Sequence, residues 1–223
     1  MGFPLIAYSI VASTLCKDIN RTIVSTDAED IAEIAGHYGA EVPFLRPKKF
    51  ASDTATDIDV INHALDWLQD HESTVPDFIV YLRPTTPLRD AVLISNAIHQ
   101  VVIKPHATSL RSAHPLAEPP QKMFQINKAG YFEGFFPNEK RPEYYNLPRQ
   151  LFPEAFHPNG YVDVIKVAQF KRTGALFGKR ILSFVTPIVT EIDRIEDFEQ
   201  LEYQMSKKGH SLHVYLSKKF PKR

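Results

Sequence analysis

Apolar residues recur at helical spacing over residues 5–15, and the run Arg21-Thr22-Ile23-Val24 then reads as a short buried strand stopped by Ser25-Thr26-Asp27. The segment AEDIAEIAGHYG puts Ile31, Ile34, Ala35 and Tyr38 on one helical face and closes with Gly39, a residue suited to a helix C-terminus. Glu41-Val42-Pro43-Phe44 predicts a second strand, at an edge, because proline cannot donate to a central ladder. Ile58, Ile61, Leu65 and Leu68, with Trp67 beside them, define the next amphipathic helix, and DFIVYL follows as a strand. A helix over residues 90–102 and a strand at Ala107-Thr108-Ser109-Leu110 continue the series. Alternating helices and strands predict an α/β fold of three layers, with a mostly parallel sheet and crossover helices.

The alternation breaks over residues 114–158, where prolines and aromatics crowd together. MFQIN and YFEGFF predict a hairpin around Lys128-Ala129-Gly130, so this stretch reads as an inserted arm or lid. The pattern resumes with GYVDVIKVAQF, ILSFVTP and a closing helix over residues 194–207, capped by Gly209. The expected organisation is one domain over residues 1–223 with the arm inserted in it, and no internal repeat. The terminal SKKFPKR reads as a solvated basic tail.

Composition narrows the partners. Lys plus Arg and Asp plus Glu both number 26, so no whole-molecule field favours nucleic acid or a membrane surface, and an anionic substrate must meet local basic groups. The single cysteine, Cys16, excludes an internal disulfide, fits a reducing compartment and sits where packing is expected. No apolar stretch reaches the roughly 20 residues needed to span a bilayer, and no leader pattern opens the sequence, so the cytoplasm is expected. The nine histidines have no metal-ligand spacing and no serine sits in a nucleophile elbow.

Three segments could carry chemistry. YLRPTTPLRD delivers Arg83, Thr85, Thr86 and Arg89 at the carboxyl end of a strand, where open α/β sheets bind ligands. Guanidinium groups and a helix N-terminus suit phosphate or carboxylate, although Thr86 could equally cap a helix beginning at Pro87. LRPKKFASDTATD offers Arg46, Lys48, Lys49, Asp53, Thr54 and Thr56 at another strand end, or simply a polar connection ending in a cap. In TEIDRIEDFEQLE, Glu191 and Asp193 alternate about Ile192, so in extended backbone both carboxylates point one way, as ligands of a hard cation such as Mg²⁺ would. Asp193 with Glu196 would also make a capping box. The arm adds Lys122, Arg149, Gln150, Asn159 and Gly160 among aromatics, suited to closing over an anion or to an oligomer interface.

In order along the chain, IVSTD, AEVPFLRP, ASDTATD, LRPTTPLR, PRQ followed by PNG, and EIDRIEDFEQLE resemble the acylneuraminate cytidylyltransferases, the CMP-sialic acid synthetases. The similarity runs from residue 4 to about residue 205. It implies a nucleotide-binding fold of the nucleotide-diphospho-sugar transferase type, a homodimer formed through the arm, and Mg²⁺-dependent coupling of CTP to a nonulosonic acid. It further implies nucleotide contacts at Arg46, Thr54, Ala55 and Thr56, and a metal on Asp193 with Glu191 beside it. Arg83, Arg89 and Asp193 take the catalytic role, and Thr85, Thr86, Lys122, Arg149 and Asn159 meet the sugar acid.

The sequence departs from the family in places. Many relatives have glutamine where Arg83 stands, so a fixed charge there is expected to alter which sugar acid is accepted. A glutamate at 191 holds a metal with a longer reach than an aspartate. The family's first strand and its CTP-phosphate loop, of pattern Ala-Arg-x-Gly-Ser-Lys, do not precede Gly2-Phe3-Pro4-Leu5. An inactive remnant or a non-catalytic sugar-binding dimer is therefore the alternative, and coding sequence upstream of Met1 would discriminate. Legionaminic acid or a related bacterial sugar acid is the alternative substrate, and a generic sugar-phosphate nucleotidyltransferase is a third reading.

Overall fold

A computed structural model describes residues 2–220 of the chain. Helix α1 (Leu5–Leu15) is followed by α2 (Glu29–His37), α3 (Asp57–Glu72), strand β1 (Phe78–Tyr81), α4 (Ala91–Val102) and β2 (Ser109–Pro115). The arm carries the hairpin β3 (Phe124–Ile126) and β4 (Phe132–Gly134). The chain then returns through β5 (Phe156–Lys166), α5 (Val167–Thr173), β6 (Ile181–Val185), α6 (Ile195–Lys208) and α7 (Ser211–Lys219).

The main sheet has the order β1-β5-β2-β6. Strand β5 is antiparallel to both neighbours while β2 and β6 are parallel, so β1, β2 and β6 share one direction. Period-2 alternation sends the side chains to two layers. Phe78, Val80 and Leu82 pack with Val162 and Val164 against α1, α4 and α7, whereas Ile79, Tyr81 and Ile165 pack against α3 and α5. On α4, Ile94, Ala97, Ile98 and Val101 form the buried stripe, and each large aliphatic side chain there stabilises the fold by about 2 kcal/mol. Helix α1 is buried from Ala7 through Ser13, all the way round, because the sheet, α4 and α7 enclose it.

Three expectations from the sequence change. The runs at 21–24 and 41–44 meet in parallel, but only through the isolated bridges Ile23–Glu41 and Thr26–Leu45. Pro43 has no amide to donate, which breaks the ladder between them. Among the described residues this ribbon does not join the main sheet, whose outer strand on that side is β1. On α2, Ala35 is buried, but Ile31 and Ile34 are exposed rather than packed. The expected basic tail begins inside a helix: Ser217, Lys218 and Lys219 close α7, whose Leu212 and Leu216 are buried against α1, and residues 221–223, like Met1, lie outside the described residues.

Candidate functional site

Strand β1 ends at Tyr81, and the chain turns through Arg83, Thr85 and Thr86 over the carboxyl edge of the sheet. Two other segments meet it there. Asn159 and Gly160 come from the first half of β5, and Ile192 is tied to the turn by its amide, which donates to the Thr85 carbonyl at 2.8 Å. Gly160 has φ 59, and a Cβ there would stand 3.1 Å from both Glu191 Oε1 and Thr86 Oγ1, so only glycine allows this approach. Arg83, Thr86, Gly160 and Glu191 therefore form one cluster.

Within it, several residues expected to face a ligand are held inside the protein. Arg89 is wholly buried. Its guanidinium donates to the carbonyls of Tyr161 (2.6 Å), Arg83 (2.6 Å) and Gly160 (2.9 Å) and to Ser9 Oγ (2.8 Å). Burial pulls its pKa down to about 9, which still leaves it charged at neutral pH. It cross-links α1, the β1 turn and β5 and presents no atom to the cleft, so the structure does not place Arg89 as a group touching reacting atoms. Asn159 is buried too: its Nδ2 donates to Thr186 Oγ1 at 2.6 Å and its Oδ1 accepts from the Tyr161 amide. Thr86 donates to the Asn159 carbonyl and caps no helix, because α4 begins later, with Asp90 accepting from the Val92 amide.

The acidic pair is different. Asp197 Oδ2 accepts from the amides of Asp193 and Arg194, so the α6 cap is not the Asp193–Glu196 box expected from sequence. Among the described residues neither the Glu191 nor the Asp193 carboxylate has a hydrogen-bond or ion-pair partner. No group of three or more His, Cys, Asp or Glu forms a metal cage among them. Two unengaged carboxylates two positions apart suit Mg²⁺ nonetheless, since that ion takes one or two protein oxygens and completes its shell with water and phosphate.

The basic loop lies next to the ribbon. Arg46 is partly buried, 3.9 Å from Asp27, and its Nε has no hydrogen-bond partner. Ser25 Oγ and His63 Nδ1 are likewise buried without partners. His63 lies between the Phe44 and Phe50 rings, and burial, reinforced by the Arg46 charge, lowers its pKa. Thr56 is the N-cap of α3 in a capping box with Asp59, while Thr54 is exposed and Ala55 partly so. In the arm, Lys122 Nζ donates to the Leu147 carbonyl and Arg149 is exposed on a single 3₁₀ turn, so one protomer does not bring either to the cluster.

Sequence reasoning missed Asp57 and Asp163, which bind the Arg83 guanidinium at 2.6 and 2.8 Å. They are 26 and 80 positions from Arg83, and only the alternation of DV pairs in GYVDVIK, with an acid in an apolar strand, hinted at Asp163.

Known proteins resemble this chain in sequence and in fold. The chain is 28% identical over 218 residues to the N-acylneuraminate cytidylyltransferase of Escherichia coli O18:K1:H7, a match covering 95% of this chain and 48% of that protein. It is 38% identical over 133 residues to the CMP-N,N'-diacetyllegionaminic acid synthase of Legionella pneumophila, covering 58% of this chain and 54% of that one. The chain thus spans about half the length of the first relative, and the matched segment about half of the second. A solved CMP:2-keto-3-deoxy-manno-octonic acid synthetase complexed with CTP superposes with a TM-score of 0.62 at 11% identity, covering 92% of this chain and 88% of that one, which establishes likeness of fold. No helix among the described residues is long and apolar enough to cross a membrane. The sequence model of the cytidylyltransferases matches residues 1–209, almost the whole length, and the chain belongs to the cytidylyltransferase family.

Proposed function

We propose that the protein transfers the CMP unit of CTP to a nonulosonic, sialic-type 2-keto sugar acid and releases pyrophosphate. The observation that carries this reading is the pair of unengaged carboxylates, Glu191 beside Thr86 and Gly160 on the carboxyl edge of the sheet and Asp193 two positions on. The family match and the names of the two relatives support the substrate class. Legionaminic acid or another bacterial sugar acid fits as well as sialic acid itself.

Glu191 and Asp193 would hold Mg²⁺, which when bound neutralises charge on the nucleotide phosphates. The protein's part is positioning and charge compensation rather than nucleophilic catalysis. Arg46, with the orphaned Nε at its base, and the segment Thr54-Ala55-Thr56 hold the nucleotide. Thr85 lines the sugar side of the cleft, and the buried Thr86 backs it. A hydroxyl of the sugar acid attacks the α-phosphorus in line, and pyrophosphate leaves.

The arm makes the active unit a homodimer. Its hairpin holds Ile126, Tyr131 and Phe132 at 70, 71 and 73% exposure, an apolar face that a second copy covers. Covering it would carry Lys122 and Arg149 toward the partner's cleft, where they meet the sugar carboxylate. The buried free thiol of Cys16 fits a cytoplasmic location.

Incubation with CTP, Mg²⁺ and a panel of nonulosonic acids tests the reading. A CMP-sugar and pyrophosphate in equal amounts from at least one acid are expected. Binding of CTP and sugar acid with no pyrophosphate released would replace the enzyme by a non-catalytic sugar-binding dimer.

A further inference from the structure

Arg83 leaves the end of β1 with its guanidinium closed on two sides. Nη1 donates to Asp163 Oδ2 at 2.8 Å and Nη2 to Asp57 Oδ2 at 2.6 Å, while its plane lies 4.7 Å from the Tyr81 ring. The Tyr81 hydroxyl donates to the other Asp57 oxygen at 2.9 Å, which fixes that carboxylate in turn. The two acids are unlike: the Asp163 side chain is 1% exposed and that of Asp57 40%. A carboxylate as buried as Asp163 stays ionised only beside a cation. Arg83 supplies it, and Arg111 of β2 stands 3.8 Å from the other oxygen.

Asp57 has no such need, since water reaches it. Nor does it cap α3, because Thr56 and Asp59 form that box. What its bond to Arg83 does is join the first turn of α3, directly after Thr54-Ala55-Thr56, to the strand ends. The Arg83 stem completes the link, with Cδ 3.6 Å from where a Cβ would stand on Gly160, beside Glu191 and Thr86.

We propose that Asp57 is a positioning residue acting through Arg83: it locks the guanidinium against Asp163 and so holds the nucleotide loop in register with the strand ends that carry Thr86, Gly160 and Glu191. Arg83 is then the internal cation of a closed bridge and not the reader of a substrate anion, which corrects the expectation that its charge selects the sugar acid. The kinetic part rests on the transfer reaction proposed above.

A cycle of Arg83→Gln, Asp163→Asn, the double variant and Asp57→Asn tests it. The charged groups facing Asp163 are Arg83 just after β1, Arg111 of β2 and, through the buried interior, Arg89 before α4, with Asp57 of α3 and Tyr81 of β1 behind Arg83. Burial holds the Asp163 pKa above the usual aspartate value despite these cations. Loss of Arg83 raises it further, so the stability of Arg83→Gln is fullest at acid pH and is lost as pH rises through that raised folded pKa. Its Tm is expected to fall by roughly 8 °C at pH 8 and far less at pH 5, and the double variant to recover most of the loss.

Asp57→Asn is expected to stay within about 2 °C of wild type, because a part-exposed ion pair stabilises little. Its kcat/KM falls about tenfold through kcat, and Asp57→Glu regains part of it. Unchanged kinetics in Asp57→Asn overturn the proposal. So does a double variant that regains its Tm while its KM for the sugar acid stays raised about 100-fold, the loss expected of a missing anion reader. A wild type inactive with every sugar acid removes the reaction and not the bridge, which the stability cycle then decides. Equal, pH-independent losses in Arg83→Gln and the double variant overturn it, and a pH-dependent loss with recovery supports it.

Discussion

The strand-end cluster and the arm treat their side chains in opposite ways. At the strand ends Thr86, Arg89, Asn159 and Asp163 are all at most 1% exposed, and their partners come from α1, the turn after β1, β2, β5 and Thr186 after β6 of the same chain. In the arm, two strands of three residues each form a separate sheet whose apolar side chains face outward. A hairpin of that size is marginal alone. One region is therefore prearranged by a single protomer, and the other is built to be completed. On the proposed reading, that difference separates groups that hold the site in shape from groups that would reach a ligand only after a second copy docks.

Substitutions can break this contrast from either side. The largest effect is expected from Arg89→Met, which removes a donor from the carbonyls of Tyr161, Gly160 and Arg83, the last of which keeps the Thr86 amide, and costs about 4 kcal/mol, read as a fall in thermal stability. Asp193→Asn is expected to lower kcat by about 1000-fold with Tm unchanged, because its carboxylate makes no contact that the fold needs. Parallel losses of stability and rate would instead make Asp193 part of the scaffold. Phe132→Glu places a charge on the exposed hairpin face. Sedimentation is expected to show dimerisation weakened about 30-fold or more, with little change in the far-ultraviolet spectrum of the monomer. Thr56→Ala removes the α3 cap for about 1 kcal/mol, and a distinct rise in KM for CTP beyond that would show the hydroxyl also meets the nucleotide.

Legibility in the sequence follows the same division. Local periodicity sufficed for α1, α3, β1 and the hairpin, whose bounds lie within a few residues of those expected. It failed where tertiary contact decides. Helix α7 has a weak apolar pattern and exists as a packed element because Leu212 and Leu216 find α1. The reversed direction of β5 leaves no trace in its apolar run, which reads the same either way. The segments of the site could be found, because strand-end turns rich in Arg, Thr and acid stand out. Their division of labour could not. Arg83 and Arg89 look alike in LRPTTPLR, yet one is bridged to two carboxylates and the other to carbonyls, and partners 26 to 80 positions away decide which.

The central claim is that this cleft moves a cytidylyl group onto a sugar acid. The most direct measurement is mass detection of the products after incubation with CTP, Mg²⁺ and a mixture of sialic, legionaminic and related nonulosonic acids. The account expects one new CMP-sugar, formed with an equal amount of pyrophosphate and abolished in Asp193→Asn. Intact CTP beside every sugar acid, or the same product from Asp193→Asn at the wild-type rate, would contradict it.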